Sequence, residues 1–222
     1  MTYILSIETA TKNCSVALSL NGEIILCKEI AEAGYSHAEK LHVFIEDILK
    51  EAKIDFKNLS AIAVSQGPGS YTGLRIGVSA AKGLCYSLNI PLISIDTLQS
   101  LAQKLTIQEG LIIPMLDARR MECFTAIFNS NHEKIREIKS EIIDSTSFQD
   151  IQETIHLIGD GADKCKLVLT NEKFVFHDEI IFPSAKEMSQ IAFEKYKKSD
   201  TVDVAYFEPF YLKDFMMTSS SK

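Results

Sequence analysis

Apolar and polar residues follow two different periods along the first half of the chain. Runs rich in β-branched and apolar residues are typical of strands, and they alternate with stretches whose apolar residues recur every three or four positions, the pattern of amphipathic helices. Asn21-Gly22, a dipeptide that tolerates the positive φ angles of a type I′ turn, joins two strand runs into a hairpin. The predicted elements are strands at Tyr3–Thr9, Ser15–Leu20, Glu23–Ile30, Leu59–Ser65 and Pro91–Ile95, and helices at Ser36–Ala52, at Leu74–Leu88 and from Thr97 onward.

The second half repeats this order of elements. Each half opens with a strand that ends in an acidic residue, Glu8 or Asp117, and a hairpin partner follows. We interpret the repeat as an internal duplication, with an N-terminal subdomain at residues 1–106 and a C-terminal one at residues 107–222, whose last helix is a candidate to pack back on the first half. The predicted elements are strands at Leu111–Asp117, Met121–Phe128, Glu133–Ser140 and Ile155–Gly159, and helices at Ser145–Gln152 and Ser184–Lys198.

Two βββαβα halves, each with a mixed sheet covered by helices, form the architecture of the actin, sugar-kinase and chaperone-ATPase (ASKHA) superfamily. The predicted fold class is therefore α/β with duplicated halves of that type. A fold of this kind supports many activities, so it does not by itself indicate a reaction.

Composition narrows the class of protein and of partner. The 222 residues are 46% hydrophobic and 24% charged, as in ordinary globular proteins. There are 23 Lys and Arg against 30 Asp and Glu, which gives a net charge of −7. Because an acidic surface repels a phosphate backbone, and because no segment interleaves basic with aromatic residues, we expect no autonomous binding of nucleic acid.

The cysteines and the apolar runs favour a cytoplasmic protein without membrane contact. Five cysteines lie far apart in sequence, which argues against a disulfide framework and against a C-x-x-C site. The N-terminal apolar run has no preceding basic residues and is interrupted by Glu8, unlike a signal peptide. No window approaches the roughly 18 uncharged apolar residues of a membrane span.

A glycine-rich segment, Gly67-Pro68-Gly69-Ser70-Tyr71-Thr72-Gly73, leads from a buried strand into a helix. It lacks the Lys-Ser/Thr of a Walker A loop and the flanking glycines of a nucleophile elbow. Two interpretations stay open: a tight structural turn, or an anion-binding loop at a helix start. Under the second, weak or interfacial binding of ATP or ADP would use this loop and the first hairpin turn. The candidate residues are Thr9, Thr11, Lys12, Gly67, Gly69 and Ser70.

The corresponding turn of the second half, Asp117-Ala118-Arg119-Arg120, has no glycine that would let backbone amides approach a phosphate. One of the two phosphate hairpins that a kinase of this fold needs is therefore degraded. We expect Asp117 to pair locally with Arg119 or Arg120, Asp96 to cap a helix, and His37 to be a surface or capping residue. No catalytic residue and no metal ligand is predicted.

Four motifs together resemble the bacterial TsaB family, formerly YeaZ, and they span almost the whole chain in family order. Tyr71 stands where the family usually has Phe, and Lys213 stands where it usually has Arg, so that one bidentate contact is weakened. The motifs are Ile7-Glu8-Thr9-Ala10, Gly67–Gly77, Pro114-Met115-Leu116-Asp117-Ala118-Arg119-Arg120 and Glu208-Pro209-Phe210-Tyr211-Leu212-Lys213.

The resemblance implies a non-catalytic subunit of the machinery that makes threonylcarbamoyladenosine beside the anticodon of tRNA. Such subunits resemble the catalytic subunit TsaD, bind it through their N-terminal domain as scaffold and activator, and are joined by the ATPase TsaE. In TsaD a pair of histidines holds a metal, but the matching stretch here, Pro91–Ser100, contains no histidine. The expectation is a chain that needs no cofactor, forms a homodimer when alone and meets tRNA only through the complex. A nucleotide-dependent phosphotransferase of the sugar or acetate kinase type is the alternative, supported by the fold alone.

Two helices carry more apolar surface than packing on one sheet requires. In the Leu74–Leu88 helix, small and apolar residues extend past half of the circumference, where a one-sided helix would carry Lys or Glu. Burial of this helix inside its own domain is the other interpretation, whereas the resemblance implies a four-helix bundle with a partner. The predicted interface residues are Leu41, Phe44, Ile48, Ile76, Gly77, Ala80, Gly83 and Leu84.

The C-terminal segment from Asp203 to Asp214 is rich in aromatic residues around Pro209. Such density in an acidic protein indicates a packed segment rather than a free one. The sequence leaves open whether it packs on its own domain or on a partner.

Overall fold

The computed structural model describes residues 1–31 and 37–212. Most predicted elements are confirmed, with bounds that shift by one to four residues. The strands are β1 (Tyr3–Glu8), β2 (Asn13–Leu20), β3 (Glu23–Ala31), β4 (Leu59–Gly67), β5 (Leu92–Asp96), β6 (Leu111–Asp117), β7 (Glu122–Asn129), β8 (Lys134–Ile142), β9 (Ile155–Ile158) and β10 (Phe174–Phe176), and the helices are α1 (His37–Ala52), α2 (Tyr71–Leu88), α3 (Thr97–Ala102) and α4 (Met188–Lys197).

Two five-stranded sheets share one topology, which confirms the duplicated α/β fold. Their strand orders are β3-β2-β1-β4-β5 and β10-β9-β6-β7-β8. In each sheet three antiparallel strands are followed by two parallel ones. Asn21 and Gly22 form the predicted turn between β2 and β3, with φ angles of 52° and 91°.

The first sheet is buried on both faces. One face packs against α1 and α2 through side chains such as Leu5, Val16 and Val64. The opposite face packs against α4 and the residues before it, where Ala185, Met188 and Ala192 form a cluster with Ile4 and Ile93. Because both faces are covered, β1 and β4 consist of almost continuous buried residues instead of an alternating pattern.

The second sheet is covered differently. One face packs against α3, whose Leu98 and Leu101 contact Phe128. The other face is covered by irregular chain that includes Phe148 and Cys165. The last helix of each half therefore packs on the sheet of the other half: α3 packs on the second sheet and α4 on the first. These contacts of α3 and α4 link the two sheets.

The prediction of a helix at Ser145–Gln152 is wrong. The Asp144 carboxylate accepts hydrogen bonds from the Thr146 backbone N–H and from the hydroxyls of Thr146 and Ser147, which stabilises consecutive turns. Phe148 has a φ of 62°, which a right-handed helix excludes. Local side-chain hydrogen bonds thus compete successfully with helix formation.

Two smaller differences concern the starts of helices, and a third is a short strand that was not predicted. The glycine-rich turn is shorter than predicted, because α2 begins at Tyr71 with Ser70 as its N-cap instead of at Leu74. The last helix begins at Met188 and not at Ser184. The three-residue strand β10 is missing from the prediction, since so short a run has no clear period. The predicted capping residue Ser36 lies outside the described residues.

None of the described helices combines the length and the apolar character that a bilayer span requires.

The glycines of α2 bring the helix into contact with the turn between β1 and β2. A Cβ atom would lie 2.4 Å from the Ala10 carbonyl oxygen at Gly69, 2.1 Å from the Thr9 carbonyl oxygen at Gly73, and 2.2 Å from Thr9 Oγ1 at Gly77. Gly73 and Gly77 are four residues apart and so lie on one face of the helix, while Gly69 directly precedes the N-cap Ser70. At Gly83, by contrast, a Cβ would meet nothing within 4 Å.

We predict opposite effects for the same substitution at two positions of α2. Gly73→Ala should lower the thermal midpoint by about 5 °C or more, because a methyl group against fixed backbone costs roughly 2 kcal/mol. Gly83→Ala should raise the midpoint by about 2–4 °C through better helix propensity alone. Thermal unfolding followed by circular dichroism tests both, and a stabilised Gly73→Ala variant would contradict the close packing.

Candidate functional site

A cleft of about 720 Å³ opens where the two halves meet. Four parts of the chain form its walls: the β1–β2 turn, the start of α2, the β6–β7 turn and the C-terminal segment. It thus lies between the two hairpins that a kinase of this fold would use to hold phosphate groups. The residues that argue for its chemistry are Lys12, Ser70, Tyr71, Asp117, Arg119, Asp160 and Tyr211.

The hydroxyl groups of the predicted anion site are used by the fold. Thr9 is buried, and its Oγ1 donates to the Gly73 carbonyl over 2.8 Å. Ser70 Oγ accepts from the Gly73 N–H over 3.2 Å, while the Ser70 N–H donates to the Ala10 carbonyl over 2.7 Å. Thr11 Oγ1 accepts from the Asn13 N–H. These groups join α2 to the first hairpin, which favours the structural interpretation of the turn.

Of the remaining three predicted residues, the two glycines are required for packing, and the lysine is exposed in the cleft. Gly67 has a φ of 116°, and a Cβ there would lie 2.7 Å from the Phe210 carbonyl oxygen. Gly69 lines the cleft, but it is required for the contact with Ala10. Lys12 is exposed and lines the cleft, and its ammonium group forms no ion pair within residues 1–31 and 37–212.

The second hairpin corrects the expected pairing of Asp117. Its carboxylate accepts from Lys164 Nζ at 2.5 Å and from the backbone N–H of Arg119 at 2.8 Å, so that neither neighbouring guanidinium pairs with it. Asp160 Oδ1 accepts from the Asp117 N–H over 3.0 Å, and burial raises the pKa of Asp160. No local sequence signal links Asp117 to Lys164, 47 residues away.

The two other local predictions also change. Asp96 precedes α3, but its side chain does not cap the helix; it pairs with Lys134 Nζ at 3.0 Å and accepts from the Gln66 side chain. His37 is buried instead of exposed, and its Nε2 lies 2.6 Å from the Thr11 carbonyl oxygen. Both side chains connect elements that are distant in sequence.

A second concavity, a groove of about 760 Å³, runs between α1 and α2. Apolar and small side chains dominate its α2 wall, where Ile76, Ala80, Gly83 and Leu84 follow one another along the helix. Arg75 and Tyr71 close the end that borders the cleft. The α2 helix therefore contributes to both concavities, the groove along its length and the cleft at its N-terminus.

The structure corrects part of the predicted interface. Leu41 and Ile48 are fully buried in the core under α1, and Gly77 is buried against Thr9, so these three offer no surface in the isolated chain. A helical stripe does not show how deeply each of its members packs, so the pattern cannot separate these three from the rest. The five that retain accessible surface are Phe44, Ile76, Ala80, Gly83 and Leu84.

The C-terminal segment packs on its own chain as far as Leu212. The Phe210 N–H donates to the Gln66 carbonyl over 2.7 Å, and Lys82 Nζ donates to the Ala205 and Phe207 carbonyls. Leu212 then contacts the core of the second sheet. The segment thus passes along α2 and forms one wall of the cleft. The end of the predicted motif, Lys213, lies outside the described residues.

Comparison with known proteins identifies the family. The TsaD model, for tRNA N6-adenosine threonylcarbamoyltransferase, matches residues 31–214. The chain is 30% identical over 221 residues to the tRNA threonylcarbamoyladenosine biosynthesis protein TsaB of Escherichia coli (strain K12), which covers 95% of this chain and 94% of that protein. The chain belongs to the TsaB family.

Two further comparisons, one with a solved structure and one with a transferase sequence, add to this assignment to the TsaB family. The solved structure of YeaZ from Pseudomonas aeruginosa matches with a TM-score of 0.84 at 23% identity, covering 96% of this chain and all of that one, which confirms the fold. The tRNA N6-adenosine threonylcarbamoyltransferase of Bacillus thuringiensis (strain Al Hakam) is 37% identical over 109 residues, 42% of this chain and 32% of that protein. The TsaB chain is thus also related to the transferase.

Across the part of the TsaB chain that the structure describes, no three His, Cys, Asp or Glu side chains come close enough together to hold a metal ion.

The most unusual ionisable group of this TsaB chain is Glu8, at the end of β1 beside the first hairpin. It is fully buried, and desolvation raises its pKa to about 7, against the hydrogen bonds that lower it. Its Oε1 accepts from the Ala10 N–H at 2.6 Å and from Ser65 Oγ at 2.9 Å, while Oε2 has no partner. The carboxyl group is therefore partly protonated near neutral pH.

The buried carboxyl group predicts a pH-dependent stability. Because the pKa of Glu8 is higher in the folded chain than in the unfolded chain, the stability it contributes is present at low pH and is lost as the pH rises from about 4.5 to about 7. In urea denaturation at pH 5 to 8, Glu8→Gln should gain stability relative to wild type with rising pH, by on the order of 3 kcal/mol across this range. Glu172→Gln, at an exposed position, is the control, and parallel wild-type and Glu8→Gln profiles would disprove the assignment.

Proposed function

We propose that this TsaB-family chain is a non-catalytic subunit in the formation of threonylcarbamoyladenosine in tRNA, which docks on the transferase TsaD through the α1–α2 groove. It acts there as scaffold and activator, and the ATPase TsaE joins the complex. The observation that carries the proposal is the open, small-residue wall of α2 around Gly83. A cytoplasmic location, favoured by five free thiols, is part of the proposal.

The groove has the surface chemistry of a helix-packing site. Gly83 lies in the interior of an 18-residue helix, where glycine costs about 1 kcal/mol relative to alanine, although a Cβ would meet no neighbour in the isolated chain. A second helix that approaches the Gly83 backbone would account for this residue. Tyr86, 86% exposed one turn further along α2, would be covered by the same helix.

The relationship to the transferase supports TsaD as the occupant. The similarity to the Bacillus transferase extends over 109 residues, so the partner is expected to present a related pair of helices. Two related helix pairs can pack as a four-helix bundle around small residues. A second copy of this chain offers the same surface, and we propose the homodimer as the state adopted when TsaD is absent.

The cleft supports a role without catalysis. The hydroxyls of Thr9, Thr11 and Ser70 are used in hydrogen bonds of the fold, and Asp117 is neutralised by Lys164. We propose that the chain needs no cofactor of its own, and that any ATP or ADP binds weakly or at the interface with a partner. The phosphotransferase alternative has the fold and the cleft in its favour, but among the described residues the cleft carboxylate Asp117 is paired with Lys164.

Substitutions in the groove should separate docking from folding. We expect Ala80→Glu and Leu84→Glu to abolish co-purification with TsaD, because each places a charge in an apolar contact, while the circular dichroism spectrum stays unchanged. Ile142→Glu, at an exposed position on β8, is the matched control and should retain the complex. Gly83→Ala should weaken TsaD binding about fivefold or more while stabilising the free chain. Survival of the complex in both glutamate variants would place the interface elsewhere.

The assignment of activity is tested by reconstitution. We expect the isolated chain to show no ATP turnover and no transfer to sugar or acetate acceptors. Co-expression with TsaD and TsaE should yield modified tRNA, measured by nucleoside mass spectrometry, and omission of this chain should abolish the product. Full modification without the chain, or ATP turnover by the chain alone, would refute the proposed role.

A further inference from the structure

We propose that the rim of the cleft binds the RNA substrate directly. Four basic residues, Lys12, Arg75, Arg119 and Arg120, define this surface, which we call the cationic rim. Lys12 and Arg119 line the cleft, Arg120 follows at the tip of the β6–β7 hairpin, and Arg75 contacts two aromatic residues of the cleft wall. The inference rests on the proposed function in so far as the RNA is a tRNA.

The charges of the rim are not neutralised within the described chain. No carboxylate among the described residues forms an ion pair with any of the four, whereas the neighbouring Lys164 and Lys134 are paired with Asp117 and Asp96. Of the acidic groups in the cleft, Asp117 is thus already compensated, and the half-buried Asp160 accepts from the Asp117 backbone N–H and interacts electrostatically with both Lys12 and Lys164. The rim is therefore a local region of positive charge on a chain whose net charge is −7.

Two consecutive residues with positive φ lie at the tip of the second hairpin. Arg119 and Arg120 have φ angles of 72° and 51°, a conformation that is unfavourable by roughly 1–2 kcal/mol for such side chains. The β2–β3 turn of the same chain satisfies positive φ angles with Asn21 and Gly22. Both arginines are exposed, and their guanidinium groups form no ion pair among the described residues. A ligand that meets their charges would account for their position.

Aromatic rings lie beside these charges. The rings of Tyr71 and Tyr211 are 5.0 Å apart, and the Arg75 guanidinium lies 4.0 Å from the centre of the Tyr71 ring and donates through Nε to Tyr211 Oη over 3.2 Å. Tyr211 retains 37% of its surface. Cations that contact phosphates, next to rings on which bases can stack, are the combination by which proteins bind single-stranded RNA.

The same contacts favour RNA over a mononucleotide. A mononucleotide site of this fold needs hydroxyls and glycines at the hairpins, but Thr9 is buried with its hydroxyl donating to Gly73, and Gly69 packs against Ala10. What remains accessible is a row of side-chain cations and rings along the rim. Such a row fits successive phosphates and bases of a polynucleotide.

The test uses a variant that should bind RNA less well and fold better. Arg119→Asn with Arg120→Gly removes two charges and places residues that accept positive φ. Binding of a fluorescein-labelled, unmodified tRNA transcript is measured by anisotropy between 50 and 200 mM salt, with the full chain alone and with TsaD added. We expect about a tenfold loss of affinity at low salt and a salt slope shallower by about 2, with an unchanged or higher thermal midpoint.

The control Lys139→Ser with Lys198→Ser removes the same charge from exposed positions away from the cleft and should stay within twofold of wild type. The proposal is overturned if the rim variant binds tRNA as wild type does, if the control loses as much, or if wild type binds tRNA in neither arm. If the rim variant loses ATP binding in calorimetry while its tRNA binding stays intact, the proposal is likewise overturned in favour of a nucleotide site.

The binding of TsaD separates this proposal from the proposed function. If the rim variant still binds TsaD, docking is separate from RNA binding. If wild type fails to bind TsaD, the proposed function is refuted, and the tRNA measurement on the isolated chain remains valid.

Discussion

The close contact between α2 and the β1–β2 turn is the constraint on which both surfaces of this chain depend. Gly69, Gly73 and Gly77 bring the helix against the backbone of Thr9 and Ala10, at a distance that no side chain larger than hydrogen allows. This contact fixes the N-terminus of α2 at the cleft and turns the opposite side of the helix toward the groove. Within the same contact the Thr9 hydroxyl donates to the Gly73 carbonyl. One packing contact therefore shapes both the cleft and the groove.

The exchange of helices between the halves keeps the cleft in shape. α3 packs on the second sheet and α4 on the first, and the C-terminal segment passes along α2 before Leu212 reaches the second sheet. A hinge motion of one half against the other would have to break these contacts. The cleft between the halves is therefore bounded by residues from both of them.

The acidic net charge is a property of the whole surface, whereas the cationic rim is a local cluster of charges. A net charge of −7 disfavours nonspecific attachment to nucleic acid over the whole surface. Four uncompensated cations in one place can nevertheless contact phosphates locally, because screening limits the range of the other charges to about 8–10 Å at physiological salt. Composition averages over the surface and cannot reveal such a cluster. Arg75 of the rim lies on α2 and also borders the groove, so that a docked transferase and an RNA would meet at the N-terminal end of this helix.

The sequence by itself determined the order of strands, the duplication, the Asn21-Gly22 turn and the family, because these depend on local periodicity and on motifs. It left the turns after Asp144 undetected, since competing side-chain hydrogen bonds do not disturb the apolar pattern. Only the tertiary structure decided that Leu41, Ile48 and Gly77 are core residues, that Asp117 pairs with Lys164, and that Lys12 and Arg119 line one cleft. The physical reason is the same in each case: depth, pairing and charge clustering depend on which distant segments meet in space, and a periodic pattern contains no distances.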